Sequence, residues 1–408
     1  MILKNILNSL IATNLNKYFF FIYHIFYIVG SFLANSLSVF FILSNLKYFK
    51  KSFFNNLNKK YLILGVIFFL FLLLNVINST HPEISLVRFI SILKFFIFGY
   101  ILYSFFIDGN FENKFLNFSK FTFFIVCFVS FDLIFQFYFG KNIFLFSMEN
   151  ISKFRFSGVF RDELIVGSYL SYFFLYGSFY LEKNKPILLV PYFFFCIFSI
   201  AASGEKKALI MSIFVLIIYY ILKLKSLKKI FLFLIILLSL LTSIFFTNDK
   251  IFSRFFNSGG SIIKELGFST KNDGSFGSFL DIPHVKHFRS ALIIWEENKI
   301  IGSGLKTFRY NCNNEKSVKI LKQYYCSTHP HNIYFEFISE LGLIGLFFLL
   351  TFIFLLSLNV YSNFKKFRNN PSISILLCLG IFMVLYPFQT TGSFFSSKNL
   401  YLNSLVFS

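Results

Sequence analysis

Charged residues are scarce in this chain: they account for 14% of its 408 residues, whereas apolar residues account for 56%. A soluble protein of this length has several polar surfaces and amphipathic segments, but long stretches of this sequence carry almost no charge. This scarcity excludes a soluble globular protein and predicts a polytopic membrane protein. We expect no cleavable signal peptide, because the first apolar run begins near Tyr18 and is too long for a signal core.

Acidic residues are few as well, with 18 against 39 lysines and arginines, so the formal net charge is +21. A charge of this size can indicate a protein that binds nucleic acid. Here the lysines lie in short loops between apolar runs, as the positive-inside rule requires, so we exclude nucleic acid as a partner. Alanine and proline are scarce while phenylalanine is abundant, which is typical of an AT-rich genome and carries little functional information.

The apolar runs are long enough, or nearly so, to cross a hydrocarbon core of ~30 Å. Single segments can cross only as helices, because the backbone must satisfy its own hydrogen bonds. We therefore predict an all-α fold with about 10–12 transmembrane helices. The last apolar piece is too short to span, so either it packs as a half-helix or a final helix is missing. The runs cover residues 18–43, 61–78, 89–107, 121–139, 164–181, 186–202, 208–222, 230–247, 333–359 and 371–388.

Lysine-rich loops predict the sidedness of these helices. With loop 44–60 in the cytoplasm, alternation also places loops 223–229 and 361–370 there. The opposite, periplasmic side then receives every unusual polar cluster and one large loop, 248–332. Four regions follow: N-terminal helices, helices with periplasmic basic motifs, the large loop and C-terminal helices, at 1–150, 151–247, 248–332 and 333–408.

Two motifs on the periplasmic side are basic, although the positive-inside rule gives no reason for basic residues on that side. In KFRFSGVFRDEL (153–164), Arg155 and Arg161 offer planar donor forks that suit phosphate oxygens, with interfacial anchoring as the alternative. In SGEKKALI (203–210), Lys206 and Lys207 stand beside a glutamate, and a solvated turn is the alternative. Together the two motifs predict an anion site.

The large loop contains a predicted amphipathic helix at 287–300, which carries Arg289 and Trp295 and is expected to lie on the membrane surface. The GSGLKT piece that follows lacks the spacing of a phosphate-binding loop, so we reject nucleotide binding and predict a glycine turn. Cys312 and Cys326 can pair if the loop faces an oxidising periplasm; two free thiols are the alternative.

The stretch STHPHNIYFEFISELGLIG carries imidazoles and carboxylates where the large loop meets a membrane helix. His331 is a candidate general base, because a neutral imidazole accepts a proton near pH 7, and His329 is a second candidate that can instead be structural. Glu336 and Glu340 share one helix face, and charges in a membrane helix usually serve a function. We expect Glu340 or Glu336 to orient the histidine or to bind acceptor hydroxyls. Asn332 is assigned to acceptor binding or structure.

A metal site is not expected in this stretch. Metal ligation needs more histidine or carboxylate ligands at suitable spacing, and only His284 and His287 are available as extras. Glycines 342 and 345 are expected to permit close helix packing. Basic motifs beside an imidazole base suit the transfer of a group from a lipid diphosphate to a hydroxyl.

The order of these motifs resembles the O-antigen ligase and O-antigen polymerase superfamily. RFSGVFRDELIVGSYLS is similar to the family's R-x-x-G segment, SGEKKALI to its S-G-E-R-x-A turn, and HPHNIYFEFISELGLIG to the region after the large periplasmic loop. The resemblance covers residues 150–408, and one departure is Lys206, where the family usually has arginine. Lysine supplies charge but no bidentate fork.

The resemblance implies a multi-pass glycosyltransferase of the C-type in the bacterial inner membrane, with its active site on the periplasmic face. It implies an inverting, metal-independent reaction without a cofactor, in which undecaprenyl-diphosphate-linked glycan is the donor and a glycan or lipid A–core is the acceptor. Membrane lipids and a chain-length regulator protein are the other expected partners. His331 is the implied base, Arg155 and Lys206 hold the diphosphate, and Arg289 helps to line the site.

Repeat-unit polymerisation is the favoured reaction, because GVFRDELIVGSYLS and SGEKKA look closer to that branch, and ligation to lipid A–core or protein is the alternative. A polysaccharide transporter or lipid flippase is the competing class. A flippase places charges along a central path, whereas the mid-helix charges here are few, chiefly Lys94 and Asp132. A scaffold protein has no need of the histidine and basic clusters together.

Overall fold

The computed structural model describes residues 18–45, 59–107, 110–147, 155–224, 226–257, 283–312, 319, 326–366, 371–387 and 392–407. All the candidate site residues lie within these ranges. Most of the lysine-rich loop 44–60 and parts of the large loop 248–332 lie outside them, so the sidedness of the helices stays a prediction.

The described residues form fifteen α-helices and no strand beyond one isolated bridge between Lys141 and Ser147. In chain order the helices are α1 (Tyr18–Val29), α2 (Ser31–Ser44), α3 (Lys59–Ile77), α4 (Pro82–Ile107), α5 (Phe111–Phe139), α6 (Val166–Asn184), α7 (Leu189–Ala202), α8 (Lys206–Lys223), α9 (Leu227–Thr247), α10 (Asp249–Phe252), α11 (Pro283–Glu297), α12 (Phe308–Asn311), α13 (Ile333–Lys366), α14 (Pro371–Leu385) and α15 (Ser397–Val406).

The helices α4, α5, α9 and α13 are long and apolar enough to cross a membrane, and shorter apolar helices occur in α1, α2, α3, α7 and α14. These features confirm an all-α polytopic membrane protein. Each predicted apolar run coincides with a helix, except that the first run is divided into α1 and α2 at Gly30, whose φ is 145°. The four sequence regions stay a prediction about topology.

The chain divides into two compact units that alternate along the sequence. Unit 1 comprises Met1–Leu33, Gly109–Glu265 and Lys366–Met383, and unit 2 comprises Ala34–Asp108, Leu266–Lys365 and Val384–Ser408.

Helices α5 and α6 form the centre of unit 1. The Ser119 hydroxyl donates to the Tyr176 carbonyl at 2.6 Å and accepts from the Tyr180 backbone N–H at 2.7 Å. Such short polar side chains hold membrane helices close together. At one end of the unit, the Lys223 ammonium lies 2.7 Å from the Glu182 carboxylate, which also accepts a hydrogen bond from Ser372 at 2.8 Å. These bonds link α6, α8 and α14.

The half-helix α15 packs on α4 in unit 2, which confirms the first of the two expectations for the last apolar piece. The Ser404 hydroxyl donates to the Phe95 carbonyl at 3.0 Å, and the Phe98 and Tyr401 rings stack with centroids 5.6 Å apart. Gly99 lies against the Ser404 backbone, where a Cβ atom would come within 3.3 Å of the Ser404 carbonyl oxygen. A helix too short to span is thus secured by side-chain packing.

Candidate functional site

The SGEKK turn of unit 1 is attached to the start of α6 by Glu205. The Glu205 carboxylate accepts hydrogen bonds from the Gly167 N–H at 2.7 Å and from the Ser168 N–H and hydroxyl at 3.2 and 2.7 Å. The first N–H groups of a helix lack partners within the helix, so a carboxylate from another segment caps them favourably. Glu205 is therefore a structural residue that fixes the position of the lysines beside it.

Arg155 lies beside the same turn. The Phe156 N–H donates to the Ser203 carbonyl at 3.2 Å, which joins the segment after Arg155 to the turn. One Arg155 nitrogen, Nη2, donates to the Leu164 carbonyl at 3.0 Å, while its Nε is buried and has no partner among the described residues. Burial raises the pKa of the Glu205 carboxyl, while the hydrogen bonds from Ser168 and the charge of Arg155 lower it.

Three further cations are close to this turn. Lys206 is buried at the first position of α8, and Lys207 is half-buried after it. The Arg254 Nε donates to the Gly204 carbonyl at 3.1 Å. Arg155, Lys206, Lys207 and Arg254 thus give the Glu205 turn an excess of positive charge, as an anion site requires. Arg254 was missed by the sequence analysis, although an arginine on the predicted periplasmic side carries the same signal as Arg155.

Arg161 is separate from this group. It is exposed, its backbone φ is 58°, and its guanidinium carbon lies 5.0 Å from the centroid of the Phe146 ring. Within the described part of the chain it makes no ion pair or hydrogen bond, so its guanidinium donors face outward.

Unit 2 is built around a break in α13 at Gly342, whose φ is 67° and ψ is −163°. The Ser339 and Glu340 carbonyls before the break accept from the Ser303 and Gly304 N–H groups at 3.0 and 2.9 Å. The Leu343 N–H after it donates to the Lys299 carbonyl at 2.9 Å. Segment 299–305 therefore satisfies the backbone groups that the broken helix leaves open, as irregular backbone in a membrane protein requires.

Glycines make this docking feasible. A Cβ atom on Gly302 would lie 2.4 Å from the Glu340 carbonyl, and one on Gly342 would lie 2.4 Å from the Ile300 carbonyl oxygen. The side chain of Asn75 on α3 secures the contact, donating to the Ile301 and Glu340 carbonyls at 2.8 and 2.9 Å. The predicted glycine turn is thus the segment that docks on the helix break, and Gly342 forms that break.

The two carboxylates of α13 hold backbone segments in place. Glu340 accepts from the Lys306 N–H at 2.6 Å and the Phe308 N–H at 3.4 Å. Glu336 accepts from the Phe394 N–H at 2.7 Å and from the Ser393 hydroxyl. Both side chains are fully buried, and neither makes a hydrogen bond to His331 among the described residues.

Lys306 is a buried cation directly after the docked segment 299–305. Its backbone φ is 64°, and its ammonium lies 4.0 Å from a Glu336 carboxylate oxygen. Burial lowers the pKa of this ammonium, while the charges of Glu336 and Glu340 raise it. The sequence analysis rejected the GSGLKT piece as a phosphate loop and did not consider its lysine as a site residue; a lone lysine directly after a glycine turn was the available signal.

His331 precedes the first residue of α13 and has a φ of 62°, in the left-handed region. Asn332 caps the helix, since its side-chain oxygen accepts from the Tyr334 N–H at 2.9 Å while its side-chain nitrogen donates to the Pro387 carbonyl at 2.6 Å. The cap fixes where the helix begins and therefore where the His331 imidazole is presented.

Three imidazoles are gathered around His331. Its ring centroid lies 4.1 Å from that of His329, 5.4 Å from that of His284 and 5.1 Å from that of His287. Burial and the charge of His284 lower the pKa of His287 to about 4, so that ring is neutral near pH 7. The described residues contain no group of histidine, cysteine, aspartate and glutamate arranged to hold a metal ion.

Helix α11 carries the two remaining predicted residues. Arg289 is half-buried and makes no hydrogen bond or ion pair with the described residues, so its guanidinium is available to a ligand. The Trp295 indole N–H donates to the Lys299 carbonyl at 3.0 Å, a structural contact. One face of α11 packs on α12, where the buried side chains are Ala291, Ile294, Phe308 and Cys312. Its position on the membrane surface stays a prediction.

A disulfide between Cys312 and Cys326, whose Cα atoms are 5.4 Å apart, closes the segment between α12 and the histidines. The pairing agrees with an oxidising environment for the large loop.

Residues 191–350 match the model of a family described as O-antigen ligase. The matched segment includes the Glu205 turn, α11, the docked segment, His331 and the break at Gly342, while Arg155 and Arg161 precede it. No curated protein matches the chain. The family match confirms the resemblance of this chain to the O-antigen ligase and O-antigen polymerase superfamily.

Proposed function

We propose that this protein is an inverting membrane glycosyltransferase that moves a glycan from undecaprenyl diphosphate to a sugar hydroxyl, most directly in the polymerisation of O-antigen or other surface-polysaccharide repeat units. The observation that carries the proposal is His331, held in a left-handed backbone beside a capped helix start within the segment that matches the O-antigen ligase family. We place the reaction at the periplasmic face of the bacterial inner membrane.

The reaction forms one bond and breaks another. The acceptor hydroxyl oxygen attacks the anomeric carbon of the donor while the His331 imidazole takes the hydroxyl proton. The bond from the anomeric carbon to the diphosphate oxygen breaks, and the electron pair leaves with the lipid diphosphate. The diphosphate linkage supplies the free energy, so the reaction as proposed uses no ATP. Its independence of a metal ion is what the family resemblance implies.

Cationic residues stabilise the charge that develops on the departing diphosphate. Each unit, considered by itself, offers candidates for this role: Arg155, Arg161, Lys206 and Lys207 in unit 1, and Arg289 in unit 2. Arg155 and Arg289 are best suited to phosphate, because both have guanidinium donors without a partner among the described residues. Glu340, predicted to act with the histidine, instead positions the Lys306 segment in this proposal.

Replacement of His331 tests the assignment of the base. We expect His331→Ala to lower transfer by at least about 10²-fold, the usual contribution of a general base, with membrane insertion unchanged. Because φ is 62° at this position, His331→Asn is the matched control: asparagine tolerates the left-handed backbone but has no imidazole. His329→Asn should cost less; near-normal transfer by His331→Asn would refute the assignment.

A second candidate is ligation of finished glycan to lipid A–core, and the description of the matching family as O-antigen ligase favours it. A chromosomal deletion separates the two reactions through the gel pattern of the surface glycan. Lipid A–core that carries a single repeat unit indicates a lost polymerase, and accumulation of lipid-linked polymer indicates a lost ligase. Absence of donor on the periplasmic side would instead indicate a flippase.

A further inference from the structure

Lys306 occupies a backbone conformation that favours glycine. Its φ of 64° lies in the left-handed region. In the chain, the residue follows Gly302 and Gly304 and precedes α12. A glycine would adopt this conformation without strain, whereas a lysine is strained by its Cβ atom. Retention of a strained non-glycine residue in an otherwise glycine-rich segment suggests that the side chain has a function.

The Lys306 ammonium lacks the contacts of a structural lysine. Only 7% of the residue is exposed, yet the ammonium makes no hydrogen bond with the described residues, and its one ion pair, to Glu336, is long at 4.0 Å. Lys223 shows how this protein holds a structural lysine: the ammonium is 2.7 Å from Glu182 and 3.2 Å from the Tyr219 hydroxyl. A buried ammonium has three donors to satisfy, so Lys306 has capacity for a further anionic partner.

Two arginines reinforce the positive charge around Lys306. Arg88 and Arg309 are close enough to oppose its protonation electrostatically. The Arg88 Nε is buried without a partner among the described residues, and Arg309 is exposed. The charges of Glu336 and Glu340 also act on Lys306 and Arg88, so three cations stand against two carboxylates around this lysine.

We propose that Lys306, flanked by Arg88 and Arg309, forms a binding site for phosphate oxygens in unit 2. The anion that we assign to it is the diphosphate of the lipid-linked donor, and this part of the inference rests on the proposed function. An ammonium provides a positive charge and three rotatable donors, and phosphate oxygens can accept hydrogen bonds from these donors.

Binding of inorganic diphosphate to the purified full chain in phosphatidylcholine nanodiscs tests this site without turnover. Lys306→Gln removes the charge and keeps a polar side chain that is one atom shorter. Lys306→Gly removes the charge while also relieving the backbone, so impaired folding cannot account for a loss in both. We expect each variant to weaken diphosphate binding at least tenfold and Lys306→Arg to retain most of it. Lys299→Gln, at an exposed lysine of the same segment, is the control and should bind like the wild type.

Several results would overturn the inference. These are wild-type diphosphate affinity in Lys306→Gly and Lys306→Gln, or no diphosphate binding by the wild type. A response to phosphatidylglycerol nanodiscs that depends on Lys306, with none to diphosphate, would overturn the assignment to the donor in favour of a lipid headgroup. The His331 variants keep the proposals distinct: inactive His331→Asn with unaffected diphosphate binding in the Lys306 variants contradicts only this inference.

Discussion

Four non-glycine residues of the described chain have a positive φ: Leu145, Arg161, Lys306 and His331. Three of them carry a cation or an imidazole, and each costs of order 1–3 kcal/mol of backbone strain that the surrounding contacts must offset. For His331 the offset includes the Asn332 cap, and for Lys306 it includes the bond from its N–H to Glu340. Sequence reasoning proposed His331 as a site residue from its residue type and place, but backbone strain has no signature in residue type.

The pH dependence of stability is expected to report on His287. Its pKa is lowered from 6.5 to about 4, so the folded protein keeps this imidazole neutral while the unfolded chain protonates it below pH 6.5. The stability that the neutral His287 ring contributes is therefore fully present above pH 6.5 and is lost as the pH falls toward 4. We predict that the melting temperature of wild type falls between pH 7 and pH 5, and that His287→Gln reduces this fall.

The neighbouring imidazoles of His284, His329 and His331 are present in both proteins and are therefore common to this comparison. An equal fall in melting temperature for wild type and His287→Gln would contradict the assigned cause.

At the scale of elements, hydrophobic run length was sufficient to predict the long apolar helices, since each predicted run contains a described helix. It could not predict the divisions within runs. Gly30 separates α1 from α2, and Gly342 breaks α13, although the sequence analysis expected Gly342 to serve helix packing. The difference lies in a distant partner: the break is stable because segment 299–305, some forty residues earlier, supplies the missing hydrogen bonds.

Gly342→Ala is therefore expected to destabilise the protein strongly. Alanine at φ 67° and ψ −163° costs of order 1–3 kcal/mol in backbone strain alone. Its Cβ atom would also lie 2.4 Å from the Ile300 carbonyl oxygen, which displaces the docked segment. Thermal unfolding in detergent measures the loss.

Gly65→Ala is the matched control for this substitution. Gly65 is an interior helical glycine whose added Cβ atom would meet only the Phe96 ring, at 3.8 Å, so the change should be neutral or stabilising by up to about 1 kcal/mol. Equal melting temperatures for Gly342→Ala and Gly65→Ala would show that the break is not needed.

At the scale of the whole molecule, the sequence predicted the kinds of site residue better than their partners. Arg155, Lys206 and Lys207 share the surroundings of the Glu205 turn, as the basic motifs suggested. The capping of α6 by Glu205 and the anchoring of the Lys306 segment by Glu340 join residues that are more than 30 positions apart. Such pairs follow from packing, which no local motif records.

Reconstituted transfer measures the central claim, that this chain forms a glycosidic bond at the expense of a lipid diphosphate linkage. Purified protein in nanodiscs receives a synthetic undecaprenyl-diphosphate-linked repeat unit and a chelator, and both released undecaprenyl diphosphate and new glycosidic bonds are quantified. We predict that wild type forms one bond of inverted anomeric configuration per diphosphate lipid released, and that His331→Asn does neither. Retained anomeric configuration, or wild-type release by His331→Asn, would contradict the account.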